Sequence, residues 1–153
     1  MRRVLFVCTG NLCRSPLARA LFERLAADAK LAVDSLSAGL HAQPGARPPA
    51  EALAIAKEAG LDLSGHAASP VSREIVETAD LVLVAERFQA SELRALYPGD
   101  ADKIRLLSDF AAGRHRGREI ADPFGCPLPY YRTSLAEIRE CVEGLVRRLA
   151  DRA

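Results

Sequence analysis

A short segment near the N-terminus contains residue types that together could catalyse phosphoryl transfer. It follows an apolar run, residues 4–7, and precedes a pattern with helical spacing, so it should connect a strand to a helix. In such a turn, successive backbone N–H groups and the helix N-terminus form a concave site for a tetrahedral anion. A thiolate is favoured at that position, which makes Cys8 a candidate nucleophile. The segment reads Cys8-Thr9-Gly10-Asn11-Leu12-Cys13-Arg14-Ser15-Pro16.

Arg14 follows Cys8 by six residues and supplies a second group that phosphoryl transfer needs. Its planar guanidinium can bind two equatorial phosphate oxygens at once, which a lysine ammonium cannot do. The segment lacks the Lys-Ser/Thr ending of a nucleotide-binding P-loop, and its single glycine, Gly10, is too few for a dinucleotide fingerprint. A buried apolar cysteine, the ordinary alternative for Cys8, does not account for Arg14 and Ser15. The combination therefore predicts attack of a thiolate on phosphorus.

Asp122, in the sequence Asp122-Pro123-Phe124, is the best candidate for a general acid. Displacement of an oxygen from phosphorus leaves a group that needs a proton, and a carboxylic acid that faces the site can donate it. An Asp-Pro pair by itself is typical of a turn. Here it lies late in a polar connection, residues 113–132, from which it could reach the mouth of the site.

The elements that position these residues alternate between strands and helices. The strand of residues 3–7 is β-branched and aromatic, as expected for a strand buried on both faces of a parallel sheet. The helix after it should begin at Pro16, with Ser15 as its N-cap. Further strands are predicted over residues 33–38, 80–85 and 103–107, and further helices between Ala50 and Gly60, between Phe88 and Pro98, and along the apolar face from Leu135 to Leu149.

This alternation predicts an α/β fold, namely a single-domain, open, mainly parallel four-stranded sheet flanked by helices, with a phosphate-binding loop after strand 1. Sites in such sheets lie beyond the carboxyl ends of the strands, where Cys8, Ser37, Glu86 and Ser108 are placed. A chain of 153 residues is long enough for one domain over residues 1–153.

Composition and charge exclude several classes of function. Hydrophobic residues make up 49% and charged residues 27% of the chain, as in globular rather than disordered or coiled-coil proteins. A formal net charge of +1 gives no field that would attract nucleic acid or an anionic membrane. The first apolar run is too short for a signal peptide or a membrane span, so a cytoplasmic protein with four free thiols is expected. No metal or cofactor is expected, because Cys13, Cys126 and His66 lack zinc-ligand spacing.

The loop from Cys8 to Pro16, together with Asp122-Pro123 near the C-terminus, resembles the low-molecular-weight protein tyrosine phosphatase family. The resemblance covers essentially the whole chain. It implies a two-step reaction in which Cys8 attacks phosphorus to form a phosphocysteine while Arg14 binds the phosphoryl group. Asp122 is expected to act first as an acid and afterwards as a base for water.

The same resemblance implies roles for neighbouring residues. Ser15 is expected to hydrogen-bond the thiolate, and Asn11 to order the loop. His66 occurs where the family often has a histidine that supports this asparagine, and a solvated loop histidine is the alternative. Cys13 occurs where many members have a thiol that traps an oxidised nucleophile as a reversible disulfide. Cys141 lies near the apolar face of the last helix and should belong to the core.

The expected substrate is phosphotyrosine in proteins, and the expected product is inorganic phosphate. The enzyme is expected to be a monomer. A deep anion site suits a phosphoryl group on a long, flat stem. The residues available as walls of that cleft are Leu12, Leu40, His41, Phe124 and either Tyr130 or Tyr131.

A protein-arginine phosphatase of the same fold is the alternative. Phe124 is followed by Gly125 rather than by a second aromatic residue, and this pair and the segment 37–39 are similar to the arginine phosphatase branch. Leu12 stands where that branch has a threonine, which favours phosphotyrosine. Arsenate reductase fits less well, since residues 80–95 contain no cysteine to resolve a disulfide. A phosphopeptide-binding module without catalysis would not need both a cysteine and an acid.

Overall fold

Four strands and five α-helices make up the computed structural model, which describes residues 2–152. The strands are β1 (Arg2–Cys8), β2 (Val33–Gly39), β3 (Leu81–Val84) and β4 (Ile104–Leu106). The α-helices are α1 (Arg14–Asp28), α2 (Ala50–Glu58), α3 (Arg73–Thr78), α4 (Arg87–Leu96) and α5 (Leu128–Asp151). Short 3₁₀ helices cover Pro98–Lys103 and Leu107–Phe110.

The sheet has the strand order β2-β1-β3-β4, and each pair of neighbouring strands is parallel. Cys8, the last residue of β1, pairs with Gly39 of β2, while Val7 pairs with Val84 of β3. The segments that follow these three strands therefore meet at one edge of the sheet. The predicted α/β fold with a four-stranded sheet flanked by helices is confirmed.

The side chains of β1 alternate between two apolar layers. Val4 and Phe6 pack with α1, α2 and α5 on one face, whereas Leu5 and Val7 pack with α3 and α4 on the other. The centroid of the Phe6 ring lies 5.4 Å from that of Phe22 in α1. Full burial of each large apolar side chain contributes about 1.5–3 kcal/mol to stability. This packing on both faces fixes the end of β1, where the candidate nucleophile lies.

The start of α1 differs from the prediction. The helix begins at Arg14 with Cys13 as its N-cap, so the predicted cap, Ser15, lies within the first turn. The Ser15 hydroxyl instead contacts Cys8 and Asn11. Because no side chain caps α1, the backbone N–H groups of its first turn remain available to an anion in the preceding loop.

Other element boundaries also shift. Strands β3 and β4 are shorter than predicted, and α5 begins inside the connection that was expected to extend to Arg132. Helix α3 is absent from the prediction because its six residues are too few to show an apolar period. Within residues 2–152, no helix has both the length and the apolar character needed to span a bilayer.

Candidate active site

Cys8 is held at the base of the loop that joins β1 to α1. Its side chain is only 3% exposed, and its Sγ lies 3.0 Å from Ser15 Oγ. Ser15 Oγ also accepts a hydrogen bond from Asn11 Nδ2 at 2.8 Å. That bond occupies a lone pair of the hydroxyl oxygen, so the hydroxyl hydrogen can be donated elsewhere. Its two acceptors are Cys8 Sγ at 3.0 Å and, farther away, the Ala38 carbonyl oxygen at 3.5 Å, and a thiolate at Cys8 would be the stronger of the two.

Asn11 orders the loop through bonds in three directions. It is fully buried and has a φ of 57°, a left-handed conformation that asparagine tolerates better than most residues. Its Nδ2 also donates to Ser37 Oγ at 3.0 Å, and its Oδ1 accepts from the backbone N–H of Ser69 at 3.0 Å. His66 Nε2 lies 2.8 Å from the Asn11 carbonyl oxygen. The structure therefore brings both Ser37 and His66 to the asparagine, whereas the family resemblance implied such a contact for His66 alone.

The backbone after β2 supports the same loop closely. A Cβ atom added to Gly39 would lie 2.7 Å from the carbonyl oxygen of Thr9, so only glycine permits this approach. The backbone N–H groups of Leu40 and His41 donate to the carbonyl oxygens of Cys8 and Thr9 at 3.0 and 2.9 Å. These contacts fix the depth of the loop relative to the sheet.

The side chains of Leu40 and His41 do not form the cleft walls. Leu40 packs against the apolar layer beside α3 and α4, and His41 Nε2 lies 2.9 Å from a carboxylate oxygen of Glu92. The structure thus corrects the expectation for both residues: their contribution to the site is made by backbone N–H groups. The direction of a side chain in a segment after a strand depends on tertiary packing, which the sequence pattern did not reveal.

Arg14 is almost completely buried, at 3% exposure, and one of its guanidinium nitrogens, Nη1, has two acceptors. Its Nη1 donates to Glu86 Oε2 at 2.8 Å and to the Ile120 carbonyl oxygen at 2.7 Å. Its Nε is buried without a hydrogen-bond partner among residues 2–152. A buried guanidinium nitrogen normally has an acceptor, and an oxyanion bound in the loop would supply one.

Two residues at the start of α4 contribute to the site but are not among the predicted site residues. Glu86 pairs with Arg14, and Gln89, which is fully buried, donates from Nε2 to Thr9 Oγ1 at 3.1 Å. Gln89 Oε1 accepts from the backbone N–H groups of Ala85 and Glu86 at 3.0 and 2.9 Å. The only available signal in the sequence was the position of Glu86 at the carboxyl end of a strand.

Asp122 lies across the cleft from Cys8. Its side chain is 47% exposed, and one carboxylate oxygen lies 3.7 Å from Arg14 Nη2. Its Oδ1 accepts a hydrogen bond from the backbone N–H of Phe124 at 3.1 Å. The carboxyl group is therefore close to the guanidinium but open to solvent at the mouth of the cleft, where a leaving group would depart.

One cavity of about 220 Å³ joins these groups. Polar groups lie at its base and mouth, and Leu12 and Phe124 supply apolar wall. Its lining consists of Cys8, Thr9, Gly10, Leu12, Cys13, Arg14, Asp122 and Phe124. A nucleophilic sulfur, a guanidinium and a carboxyl group around one cavity can carry out displacement at phosphorus.

Comparison with known proteins identifies the family. The family model described as low molecular weight phosphotyrosine protein phosphatase matches residues 3–153. The chain belongs to this family. It is 34% identical over 146 residues to the protein-arginine-phosphatase of Bacillus subtilis, covering 95% of each chain. It is 38% identical over 150 residues to the low molecular weight protein-tyrosine-phosphatase of Streptomyces coelicolor, covering 92% of this chain and 87% of that one.

One similar solved structure carries a phosphoryl group on an active-site residue. The fold matches the YwlE arginine phosphatase, in a mutant with a phosphorylated active-site serine, with a TM-score of 0.90 and 33% identity. The match covers 96% of this chain and 95% of that one. As a member of the low molecular weight phosphatase family, the chain is a hydrolase, and its substrates are phosphoproteins.

Cys13 is a second thiol in the wall of this phosphatase cleft, and it is held in the neutral form. Burial, reinforced by the Asp122 carboxylate, raises the pKa of the Cys13 thiol to about 12. Tyr131 is fully buried and is not among the residues that line the cleft. Burial also raises the pKa of Cys141 to about 12, in agreement with its predicted place in the core.

Proposed function

We propose that this phosphatase hydrolyses phosphotyrosine in proteins through a phosphocysteine on Cys8. The observation that carries the proposal is the cavity itself, in which Leu12 and Phe124 line the space between the sulfur at the base and Asp122 at the mouth. An aromatic ring between a bound phosphoryl group and solvent would lie against these apolar side chains.

In the first step, the Cys8 thiolate attacks phosphorus, an S–P bond forms and the P–O bond to the tyrosine breaks. The backbone N–H groups of the loop and the guanidinium of Arg14 stabilise the charge on the equatorial oxygens. Asp122, in its protonated form, donates its proton to the departing phenolic oxygen. Ser15 donates a hydrogen bond to the sulfur and so stabilises the thiolate before attack and when it leaves again.

In the second step, water attacks phosphorus opposite the sulfur, and the S–P bond breaks. Asp122, now a carboxylate, takes a proton from the water as it attacks. The products are inorganic phosphate and the Cys8 thiolate. Because the proton taken from water leaves Asp122 protonated again, the enzyme returns to its starting state when phosphate leaves. The reaction requires no metal or cofactor, because the loop and Arg14 supply the positive field and the sulfur is the nucleophile.

Hydrolysis of phosphoarginine in proteins is the second candidate function. It is favoured by relatives named protein-arginine-phosphatase, which are 34% and 35% identical to this chain. Against it stands the chemistry of the walls, because a phosphoarginine guanidinium is polar and cationic. Asp122 is the one carboxylate in the cavity lining among the described residues, and it is already engaged as the acid. Leu12 offers that guanidinium no hydrogen bond.

We further propose that residues 1–153 act as a monomeric, single catalytic domain in the cytoplasm and do not bind nucleic acid. The nucleophile, the arginine and the acid of the proposed reaction all belong to this chain, so the mechanism needs no residue of a second copy. The four cysteines are free thiols, as expected in a reducing compartment where a catalytic thiolate survives. The net charge of +1 supports a protein rather than a nucleic acid partner.

The test compares kcat/KM on two peptides of identical sequence that differ only in carrying phosphotyrosine or phosphoarginine at one position. We expect the phosphotyrosine peptide to be cleaved faster, since its ring matches the apolar walls. A higher kcat/KM on the phosphoarginine peptide would replace phosphotyrosine with the second candidate. The Cys8→Ser variant, which keeps the loop and Arg14, serves as the inactive control for both substrates.

A further inference from the structure

The segment that carries Asp122 is fastened to the start of α4 by two hydrogen bonds, and Arg87 donates both. The backbone N–H of Arg87 donates to Glu119 Oε2 at 2.7 Å. The Arg87 side chain forms the second bond, in which Nη2 donates to the carbonyl oxygen of Gly117 at 2.6 Å. We call this pair of contacts the Arg87–Glu119 clamp. It joins two parts of the chain that are about thirty residues apart in sequence.

Both bonds involve a charged partner, which makes them stronger than neutral hydrogen bonds. Arg87 is the first residue of α4, so the Glu119 carboxylate lies at the N-terminus of that helix, where negative charge is favoured. Gly117 has a φ of 76°, and its own N–H donates to the Ser108 carbonyl oxygen at 3.0 Å. This turn points the Gly117 carbonyl oxygen toward α4, where the Arg87 side chain donates to it.

Between the clamp and Asp122, the backbone of Ile120 is hydrogen-bonded to residues near the reaction centre. The N–H of Ile120 donates to the Ala85 carbonyl oxygen at 3.1 Å, and the Ile120 carbonyl oxygen accepts from Arg14 at 2.7 Å. Asp122 itself is restrained only weakly, by the Phe124 N–H at 3.1 Å and by Arg14 at 3.7 Å. The location of its carboxyl group therefore depends on how firmly residues 117–121 are held.

We propose that Arg87 and Glu119 are positioning residues for Asp122, which hold its carboxyl group within reach of the leaving-group oxygen. Neither residue lines the cavity, so neither touches the substrate's phosphoryl group. This inference rests on the proposed function, in which Asp122 is the general acid. It adds that proton donation depends on a contact outside the cleft, between the start of α4 and the acid-bearing segment.

A positioning role and a purely structural role have different kinetic signatures. With aryl phosphates, kcat/KM reports the first step, in which the S–P bond forms and the P–O bond breaks. If proton donation weakens, substrates whose phenols are poor leaving groups lose most, whereas those with acidic phenols lose little. Damage to the fold or to the phosphate loop lowers kcat/KM by the same factor for every substrate.

The experiment measures kcat/KM for a series of aryl phosphates of graded leaving-group acidity in the wild type, Arg87→Ala, Arg87→Lys and Glu119→Gln. For Arg87→Ala we expect a loss of about tenfold with the poorest leaving group and less than about twofold with the best. Arg87→Lys keeps the backbone N–H and a cationic donor, so it should restore most of the activity. Inhibition by inorganic phosphate should stay within about twofold of wild type in each variant, because Arg14 and the loop are untouched.

Arg118→Ala is the matched control, since the exposed side chain of Arg118 makes no hydrogen bond or ion pair within residues 2–152. Its backbone N–H donates to the His115 carbonyl oxygen at 3.0 Å, and alanine keeps that bond. It should match the wild type across the series. Glu119→Gln keeps the arginine and weakens only the charged contact at the helix N-terminus, so it gives a second, milder test should Arg87→Ala lower the melting temperature.

Asp122→Asn separates failure of the clamp from failure of the proposed function. In one outcome, kcat/KM depends more steeply on leaving-group acidity in Asp122→Asn than in the wild type, but Arg87→Ala and Glu119→Gln show the wild-type dependence. The clamp then has no positioning role. If Asp122→Asn does not change that dependence, Asp122 is not the acid, and the clamp proposal is overturned with it. A larger leaving-group dependence in Asp122→Asn, Arg87→Ala and Glu119→Gln supports both.

Discussion

Glu86 Oε2 accepts a hydrogen bond from Arg14 Nη1 at 2.8 Å. This contact fixes the orientation of the Arg14 guanidinium, the positively charged group that α1 contributes to the anion site. A guanidinium that is 3% exposed needs a counter-charge to remain buried. Glu86 provides it from the N-cap of α4, while Arg14 Nε has no hydrogen-bond partner within residues 2–152. The arginine is therefore oriented before any phosphoryl group arrives, which is the arrangement that favours electrostatic stabilisation of a transition state.

Replacing the carboxylate tests this orientation. We expect Glu86→Gln to lower the free energy of unfolding by about 1–3 kcal/mol and kcat/KM by about tenfold, because a buried cation loses its paired charge. Urea unfolding and steady-state kinetics measure the two effects. Glu92→Gln, which alters the exposed pair with His41, is the control and should change stability by less than about 0.5 kcal/mol. Equal behaviour of the two variants would mean that Glu86 does not hold Arg14.

The geometry of Arg14, and not only its charge, should matter. Arg14→Lys keeps a cation but loses the planar fork, and the ammonium cannot contact Glu86, the Ile120 carbonyl and two phosphate oxygens together. We expect turnover to fall by about 100-fold or more. The measurement is kcat on a phosphotyrosine peptide, with circular dichroism to verify folding. Turnover close to that of the wild type would show that charge alone is sufficient.

Oxidation of Cys8 should lead to a disulfide with Cys13, and its formation should be slow at neutral pH. The pKa of Cys13 is raised to about 12, so its thiolate fraction at neutral pH is lower than for an ordinary thiol and grows as the pH rises. After mild peroxide treatment, we expect the rate of disulfide formation to increase about tenfold for each pH unit between neutral and mildly alkaline solution.

Peptide mapping after quenching measures this disulfide, and a thiol reductant should restore activity. Cys141→Ser is the matched control, since Cys141 is also buried but lies in the core away from the cavity lining, and it should not change the result. Irreversible oxidation of Cys8 to the sulfonic acid without a linked peptide would refute a protective role for Cys13.

Leu12 should decide between the two phosphorylated side chains. Leu12→Thr places a hydroxyl in the cavity wall, where it can hydrogen-bond a guanidinium or orient water, and removes apolar contact with an aromatic ring. We expect the ratio of kcat/KM for phosphoarginine over phosphotyrosine peptides to rise by about tenfold. If the wild type already prefers phosphoarginine and the substitution leaves the ratio unchanged, the argument from Leu12 is wrong.

The local part of the site could be predicted from the sequence because its chemistry is encoded in a short segment. Cys8, Asn11 and Ser15 lie within one turn between a strand and a helix, so their contacts follow from chain connectivity. The residue type of Asp122 and its place in a polar connection indicate an acid near the site. The structure brings it to the same cavity as Cys8.

Contacts across the sheet could not be predicted in this way. Glu86 meets Arg14 although the two are 72 residues apart, because β1 and β3 are neighbours in the sheet. The direction of the Leu40 and His41 side chains depends on packing against α3 and α4, which no pattern around them indicates. Ser15 has the residue type of an N-cap, yet its hydroxyl contacts Cys8 and Asn11, and helix α1 begins two residues earlier than predicted.

The most direct test of the mechanism is to find where the phosphoryl group resides during turnover. Asp122→Asn, supplied with an aryl phosphate whose phenol leaves without a proton, should form the intermediate readily and hydrolyse it slowly, because the base for water is absent. Acid quenching followed by mass spectrometry of the peptides locates the phosphate. We predict phosphocysteine at Cys8, both in this variant and in one that also carries Cys13→Ser. Phosphate on any other residue, or turnover without a phosphorylated enzyme, would contradict the account.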